Sequence, residues 1–563
     1  MSNSSINSNP RLSTSQIAWV IFAIWLVSLF ILGGLQLLNL PFGFAVWPMG
    51  EDRNWLGFMH DGKGLEMMHE FWKMNDRNPL SPWWWFIGSP LIYQTDWGLY
   101  LIRKCVDPFL AIITFFLLDR LGHKQCRTFA FCVAIVVLVW NFSGSFRDIN
   151  YFNQIFWDFL VALGFSLLTI FFYCRYIDNQ RTMGSDLGLA MICYFISIAS
   201  YTLQSGAIIA VAFLGLFRLS KSQNWITRLK HALVDTGFFA AIFLIFNCIW
   251  YTVNRNGHAF YQLNWHTFSD QFLTSMRQFF FHTLYLNATQ LTQADWSLWV
   301  ISVIFIVVFL LFCFILFKFP ANKVLDSQVK IPIAWTCMVL LAIALPTMIV
   351  ESTSNIWYPG SRSLMVQQVW QPMLYIGIIF FIANLFPAKN SQRLRRGVLI
   401  AVALIGALAS VLNLNYNYRL VVRTQYQATL AKGLKQLNIP QGVAPFFLVK
   451  ITGLHNQDID TIPILIGNYG QSLLHQDNAT LRTFASQPDP LREHYWRIKF
   501  GPTGVVNAGP IGDDHSIPYN NVWIVFFDGK KVWVPERVDK NDFLGLQVDW
   551  LRNTPINQTN KKQ

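Results

Sequence analysis

Two adjacent carboxylates, Glu51 and Asp52, are the residues of this chain best suited to acid/base chemistry. They lie in the stretch AVWPMGEDRNW, shortly after the uncharged apolar segment 17–40. A carboxylate within hydrogen-bond reach of a hydroxyl group can remove its proton while the oxygen forms a new bond. Because adjacent carboxylates perturb each other's pKa, we expect one to act as the base, with Asp52 slightly favoured, and the other to orient it. An ordinary solvated acidic pair is the alternative interpretation.

Three arginines near the ends of apolar segments are suited to binding phosphate. Arg103 lies in SPLIYQTDWGLYLIRKC, Arg147 in SFRDINYF and Arg362 in WYPGSRSLMVQQVWQP. The planar guanidinium group makes bidentate contacts with phosphate oxygens, so each could stabilise the charge that develops on a departing phosphate. A simple contact with a lipid headgroup is the alternative. Asp107 and Asp158 fall inside apolar segments, where a carboxylate is costly unless it is paired or faces a cavity.

The composition indicates the elements that must position these residues. The chain has 563 residues, of which 53% are hydrophobic and only 13% are charged, whereas soluble domains carry about 25% charged residues. The apolar residues form blocks of about 17–25, the length of a helix that crosses a bilayer. This pattern predicts a polytopic α-helical membrane protein with about eleven transmembrane helices. Two of these spans are short and joined at Tyr201–Leu203. The predicted spans begin near Ile17, Cys105, Thr128, Phe152, Leu187, Ser205, Ala232, Trp296, Ile331, Val369 and Val398.

The loops between the spans predict the orientation of the chain. The net charge of +13 is concentrated in short alternate loops, as the positive-inside rule requires, and this placement argues against a nucleic-acid partner. These basic loops, expected in the cytoplasm, are 119–127, 174–181, 218–230, 318–330 and 389–396. We therefore predict a cytoplasmic tail over 1–16, a retained first helix and a transmembrane domain over 17–415 with a long outer loop at 40–100.

The remaining segment, 416–563, is predicted to be an α+β domain outside the cytoplasm. It opens with an amphipathic stretch, 417–436, whose apolar residues recur at helical spacing. Two β-rich runs flank Asp528-Gly529, a strong signal for a hairpin. None of the eight cysteines of the chain lies in this segment, so a disulfide framework is excluded there.

The order of these features resembles the GT-C superfamily of integral-membrane glycosyltransferases. The likeness is to the branch with the protein O-mannosyltransferases and the lipid A aminoarabinose transferase, and it covers roughly residues 15–390. It rests on four features of the chain, after which a soluble domain closes the chain outside. A first span leads to an acidic residue in a long outer loop. The turn 89–105 then enters the second span, a polar outer loop follows, and a loop with Pro359 and Arg362 precedes a late span. The WWD-type signature of oligosaccharyltransferases does not occur in the sequence.

The resemblance implies roles for the residues quoted above. Asp52 or Glu51 occupies the position of the catalytic base, and Arg362, Arg103 and Arg147 are expected to bind the donor phosphate. Further polar residues are expected to support the site or to lie on the acceptor side. They are Asp148, Tyr151, His60, Asp96 and Tyr358.

The expected reaction is the transfer of a sugar from a polyprenyl phosphate to an envelope glycan or lipid. It would occur on the outer face of a bacterial inner membrane, by a single displacement that inverts the sugar. No cofactor is identified, although a divalent metal stays possible. A lipid-linked glycan transporter or flippase, or a non-catalytic subunit of a polysaccharide assembly complex, is the alternative.

Overall fold

The computed structural model describes a mostly helical chain. The described residues are 13–37, 98–123, 126–139, 157–218, 224–253, 268–277, 330–353, 366–385, 391–437 and 522–534, with five strands between 446 and 518 and a few isolated residues. The helices are α1 (Thr14–Leu37), α2 (Gly98–Leu121), α3 (Arg127–Val139), α4 (Trp157–Asp178), α5 (Gly184–Ser200), α6 (Ala207–Phe217), α7 (Trp225–Val253), α8 (Phe268–Arg277), α9 (Lys330–Thr353), α10 (Gln367–Ala383) and α11 (Ser391–Lys435).

Several helices have the length and composition of membrane spans. Among the described residues, three helical stretches are long and apolar enough to cross a bilayer, Phe159–Asp178, Trp225–Trp250 and Lys330–Val350. Six shorter apolar helices accompany them. The predicted class of helical membrane protein is confirmed at this coarse level, and the number of eleven spans stays a prediction.

Ion pairs and hydrogen bonds hold the ends of α2, α4 and α6 together. Arg218, which caps α6, donates to the main-chain oxygens of Arg120 and Leu121 at the end of α2. It also binds Asp178 at the end of α4 with 3.1 Å contacts. We call this side, which also holds Arg175 and Arg181, the arginine-rich end. The starts of α2 and α4 consequently lie at the opposite end of the bundle.

The remaining long helices alternate between these two ends. The Gln368 side chain in the first turn of α10 donates to the main-chain oxygen of Val137 near the end of α3. The end of α10 returns to the start of α3, where the rings of Phe380 and Phe129 meet edge to face. Helix α9 starts near that point, because Lys330 lies over the ring of Phe381. Hence α3 and α9 end, and α10 starts, at the opposite end.

A break separates the short helices α5 and α6. Tyr201 has extended backbone angles and is followed by a 3₁₀ turn, Thr202–Gly206, here called η1. This confirms the prediction of two short apolar segments joined at Tyr201–Leu203. The ring of Phe159 on α4 packs against the ring of Tyr201, with centroids 4.4 Å apart, and holds the break inside the bundle.

Pro108 and Pro346 each leave one main-chain carbonyl of their helix without its usual donor. A proline lacks the N–H that would bind the carbonyl four residues earlier. Pro108 in α2 therefore frees the carbonyl of Lys104, and Pro346 in α9 frees that of Ala342. Gly206 lies so close to the second carbonyl that an added Cβ would come within 2.0 Å of its oxygen. The break and the Pro346 site therefore form one tight contact between η1 and α9.

Helix α11 joins the helical bundle to the strands. The sequence predicts a span from Val398 and a separate amphipathic helix over 417–436, but the structure merges them into one helix of 45 residues. Its last turns pack on the final strands, where Tyr426 meets the ring of Phe527 and a Cβ on Gly433 would touch Val532.

Seven strands are described in the C-terminal part of the chain. They are β1 (Phe446–Ile451), β2 (Thr480–Phe484), β3 (Arg497–Phe500), β4 (Gly504–Ala508), β5 (His515–Pro518), β6 (Val522–Phe527) and β7 (Val532–Trp533). One sheet has the order β2-β1-β6-β7, in which β1 pairs parallel with β2 and β6, and the other has the antiparallel order β3-β4-β5.

The predicted hairpin around Asp528-Gly529 is confirmed. Strands β6 and β7 pair antiparallel, with Phe527 opposite Val532. Asp528 Oδ1 accepts the main-chain N–H groups of Lys530 and Lys531, each at 2.9 Å. Gly529 has a φ of 88°, a conformation that other residues rarely adopt. The bounds of the domain 416–563 and its location outside the cytoplasm stay predictions.

Candidate functional site at the opposite end of the bundle

The residues predicted to carry the chemistry lie outside the described part of the chain. This holds for Glu51, Asp52, His60, Asp96, Arg147, Asp148, Tyr151, Tyr358 and Arg362. Arg103 belongs to α2 and Asp158 to α4, but their side chains are also outside the description. Their predicted roles therefore stay predictions.

The structure does place the helix ends that border these residues. The segment with Glu51 and Asp52 is followed by the start of α2, and the segment with Arg147 lies between the end of α3 and the start of α4. The segment with Arg362 connects the end of α9 to the start of α10. All five helix ends lie at the opposite end of the bundle. The three predicted groups of site residues are thus attached to a single end.

A buried ion pair lies in α2 close to this end. The Lys104 ammonium group is 3.4 Å from Asp107 Oδ2, and the two side chains are only 10% and 4% exposed. Their i, i+3 spacing puts them on neighbouring positions of one helical face. The sequence predicts that Asp107 must be paired or face a cavity, and pairing is confirmed. The sequence analysis did not predict Lys104 as the partner, although a lysine three residues before an aspartate in an apolar segment indicates such a pair.

Three glutamines occupy the first turns of α10. Gln367, Gln368 and Gln371 are each at most 1% exposed. Gln368 ties α10 to α3 through Val137, with 3.2 Å between Nε2 and the carbonyl oxygen. Amide side chains both donate and accept hydrogen bonds, so this cluster suits a polar, uncharged ligand group. Sequence reasoning missed these residues, although three amides in five positions of an apolar segment are visible as QQVWQ.

A second polar set surrounds the break between α5 and α6. The hydroxyls of Ser166 on α4 and Ser197 on α5 are 2.7 Å apart, and Ser166 lies 3.4 Å from Gln204 Oε1. Ser197 also donates to the main-chain oxygen of Ala162 at 2.8 Å. These contacts join the two helices within the bundle. Interhelical hydrogen bonds of this kind hold membrane helices together, so we assign this set a structural role.

The segment predicted to be the first outer loop, 40–100, reaches the same break. The main-chain N–H of Leu80 donates to the carbonyl oxygen of Ala199 in the last turn of α5, at 3.0 Å. Leu80 also packs against the hydrophobic core. The final carbonyls of a helix have no partner within it, so this bond satisfies one of them. The predicted long loop 40–100 is therefore fixed to the bundle at this position.

The described residues of the arginine-rich end form a structural network. Asp178 binds both Arg120 and Arg218, and Arg218 is 1% exposed. A second carboxylate, Asp235 on α7, accepts from Tyr173 at 2.9 Å and from Arg181 at 2.8 Å. Each of these guanidinium groups has a carboxylate partner, so none is an unpaired cation offered to a ligand. The network clamps α2, α4, α6 and α7 together.

The described residues contain no group of three or more histidine, cysteine or acidic side chains that could hold a metal ion. Whether a divalent ion takes part stays untested, because the predicted acidic residues are outside the description.

Of the comparisons with known proteins, the one with solved structures gives matches. No family model and no curated protein matches the chain. Solved structures of ArnT from Cupriavidus metallidurans, in the apo state and bound to undecaprenyl phosphate, are 13% and 12% identical with TM-scores of 0.34. Each alignment covers 83% of this chain and 85% of that structure. The apo oligosaccharyltransferase of Archaeoglobus fulgidus is 12% identical with a TM-score of 0.41, over 82% of this chain and 64% of its own.

These matched proteins are GT-C glycosyltransferases, the superfamily that the sequence resembles. The matches thus fall in the superfamily that the sequence resembles, but they carry no argument about the fold or role of this chain. With TM-scores below 0.5 no residue can be transferred from them, and we argue function from the chain's own residues.

Proposed function

We propose that this protein is a membrane glycosyltransferase that moves a sugar from a polyprenyl-phosphate donor to an envelope glycan or lipid. The observation that supports this proposal is the convergence at the opposite end of the bundle. The helix ends that border all three predicted groups of site residues lie there, beside the buried Lys104–Asp107 pair and the glutamines of α10. We assign the arginine-rich end to the cytoplasm and the opposite end to the outer face of a bacterial inner membrane.

The proposed reaction is a single displacement at the sugar's first carbon, C1. An acceptor hydroxyl attacks C1, the bond from C1 to the phosphate oxygen breaks, and that electron pair leaves with the lipid phosphate. Asp52, with Glu51 beside it, removes the hydroxyl proton as the new bond forms. Arg362, Arg103 and Arg147 stabilise the negative charge that grows on the departing phosphate. Attack from the side opposite the phosphate inverts the configuration at C1.

The direct test is sugar transfer by the purified protein in lipid nanodiscs. Undecaprenyl phosphates with different radiolabelled sugars are supplied together with an envelope glycan extract, and released undecaprenyl phosphate is measured. The double variant Glu51→Gln, Asp52→Asn should lose at least 100-fold in rate, as expected for removal of a general base. The matched control is Glu66→Gln, Asp270→Asn, which removes two exposed carboxylates and should keep the full rate. Full activity in the first variant would refute the assigned base.

A transporter of lipid-linked glycans is the second candidate, and the break between α5 and α6 favours it. Discontinuous helices often form the binding sites of transporters. A transporter would move a fluorescent undecaprenyl-phosphate sugar across a liposome membrane without releasing undecaprenyl phosphate. An enzyme would release it without net movement of the donor, so the two assays on one preparation separate the candidates.

A further inference from the structure

Helix α7 starts at the arginine-rich end and exposes one apolar face. The ring of its first residue, Trp225, meets the ring of Phe217, which directly precedes Arg218. The stretch Trp225–Trp250 is long and apolar enough to cross a bilayer. A helix of this kind turns its exposed apolar face toward the lipid. The exposed apolar side chains of α7 include Ile226, Leu233, Val234, Phe238, Leu244 and Ile249.

Lys230 lies in the middle of this lipid-facing surface. Ile226 precedes it by four residues, and Leu233 and Val234 follow it by three and four, so all four side chains share one stripe of the helix, here called the lipid-facing strip. The three apolar members are 70%, 63% and 50% exposed, and Lys230 is exposed as well. Within the described part of the chain, no carboxylate forms an ion pair with Lys230. A positive charge therefore faces the lipid among apolar side chains.

Contacts between α6 and α7 determine the depth of Lys230. A Cβ added to Gly215 on α6 would come within 3.1 Å of the Cβ of Ala232 on α7, so these two positions are level. Arg218 follows Gly215 by three residues and Lys230 precedes Ala232 by two, both toward the arginine-rich end. At about 1.5 Å per residue, Lys230 and Arg218 thus differ in depth by about 2 Å. Because a helical side chain also leans toward the N-terminus of its helix, the ammonium group lies at the depth of the lipid headgroups.

The surface around Lys230 carries an excess of positive charge. The sequence from 218 to 234 contains four basic residues and no acidic one. Asp178, Asp186 and Asp235, the carboxylates of the neighbouring network, are each already bound to an arginine. Basic residues near a membrane surface attract lipids with a net negative charge. A zwitterionic lipid instead carries a cation of its own, which this surface repels.

We propose that the lipid-facing strip binds an anionic phospholipid. The Lys230 ammonium group, a compact charge with three donors, contacts the phosphate, and an acyl chain lies along Leu233 and Val234. A lysine at headgroup depth above a continuous apolar surface matches the two parts of such a lipid. The site lies on the outside of the bundle, so this inference does not depend on sugar transfer.

Photo-cross-linking from within the strip tests this inference. A protein with Leu233→benzoylphenylalanine is reconstituted into liposomes of equal parts phosphatidylglycerol and phosphatidylcholine, and the cross-linked lipid is identified by mass spectrometry. We expect at least fivefold more adduct with phosphatidylglycerol, the preference that one cation at a membrane surface provides. Adding Lys230→Gln should reduce this preference below twofold, whereas Lys230→Arg should keep it. Lys530→Gln, which removes an exposed lysine from the hairpin of β6 and β7, is the matched control and should also keep it.

Three outcomes would overturn the inference. Equal yields with the two lipids would show that the strip does not select an anionic headgroup. An unchanged preference in the Lys230→Gln variant would assign the attraction to the other charges of the arginine-rich end. A cross-linked dimer as the main product would show that a second copy of the chain covers this face. If the labelled protein does not fold, Val234→benzoylphenylalanine places the same probe one residue further along the strip.

Discussion

The indole Nε1 of Trp25 donates a hydrogen bond to the main-chain oxygen of Lys104, at 2.9 Å. This carbonyl is the one that Pro108 deprives of its helical donor. Helix α1 thus supplies the bond that α2 cannot make internally. The contact fixes the turn with Arg103, Lys104 and Asp107 against the first helix.

Trp25→Phe should destabilise the protein through this bond. A buried carbonyl without a donor costs about 1–3 kcal/mol, and the smaller ring adds a packing loss. In a Pro108→Ala background the residue at 108 has an N–H that can bind Lys104 itself. The cost of Trp25→Phe should therefore fall by about 1 kcal/mol there, measured by equilibrium unfolding in detergent as a double-mutant cycle. Equal costs in both backgrounds would show that the hydrogen bond does not depend on the proline.

Gly206→Ala should severely destabilise the bundle. Its Cβ would come within 2.0 Å of the main-chain oxygen of Ala342, so η1 and α9 would have to separate. We expect a loss of more than about 3 kcal/mol or failure to fold, measured by thermal unfolding and by monodisperse yield. Gly188→Ala in α5 is the matched control, because nothing lies within 4 Å of its added Cβ. That variant should gain about 0.5–1 kcal/mol from helix propensity. A harmless Gly206→Ala would contradict the close contact.

Asp178→Asn should weaken the clamp at the arginine-rich end. It removes the carboxylate that serves both Arg120 and Arg218, and leaves the nearly buried Arg218 without its charge partner. Breaking a buried pair on one side costs on the order of 3 kcal/mol. Asp270→Asn on the exposed face of α8 makes the same chemical change and should shift stability by less than about 0.5 kcal/mol. Similar unfolding midpoints for the two variants would argue against the clamp.

Stability should fall in mild acid because of His123. Partial burial, and then the nearby positive charge of Arg218, lower the pKa of this histidine below its usual value of 6.5. The unfolded state therefore takes up a proton at a higher pH than the folded state does. The loss begins as the pH falls through 6.5 and ends below the folded-state pKa. His123→Asn, which tolerates the φ of 50° at this position, should show a smaller fall in unfolding midpoint between pH 8 and pH 5. An unchanged pH profile would exclude His123 as a contributor.

The Lys104–Asp107 pair can be tested for structure and activity separately. Asp107→Leu alone should cost about 3 kcal/mol, because it leaves a buried ammonium group without its partner. The double variant Lys104→Met, Asp107→Leu removes both charges and should recover most of that stability. If the pair contributes only to folding, sugar transfer should recover together with the unfolding midpoint. A stable double variant without transfer activity would assign the pair to the reaction.

Local signals in the sequence predicted the local features of the fold. The short joined segments at Tyr201, the pairing of Asp107 and the hairpin at Asp528-Gly529 each depend on residues close together in the chain. A run of apolar residues, an isolated charge in such a run and an Asp-Gly turn all have direct physical meanings. These predictions were therefore confirmed.

Contacts between residues that are far apart in the sequence could not be predicted from such local patterns. Arg218 meets Asp178 and Arg120 across separations of 40 and 98 residues, and β1 pairs with strands far along the chain. No local pattern specifies such partners. The merger of the last span with the amphipathic helix was missed because Asn413 to Asn417 is polar and looks like the end of a span. A helix that leaves the membrane can continue into water when its next turns pack on a sheet, as those of α11 do.

The continuity of α11 has a mechanical consequence. Its 45 residues extend over roughly 67 Å without a hinge, from the end of α10 to the sheet with β6 and β7. Each residue inserted into its middle would turn that sheet by about 100° and displace it by about 1.5 Å along the helix axis. The number of residues in α11 thus determines the angle at which the strands face the helical bundle.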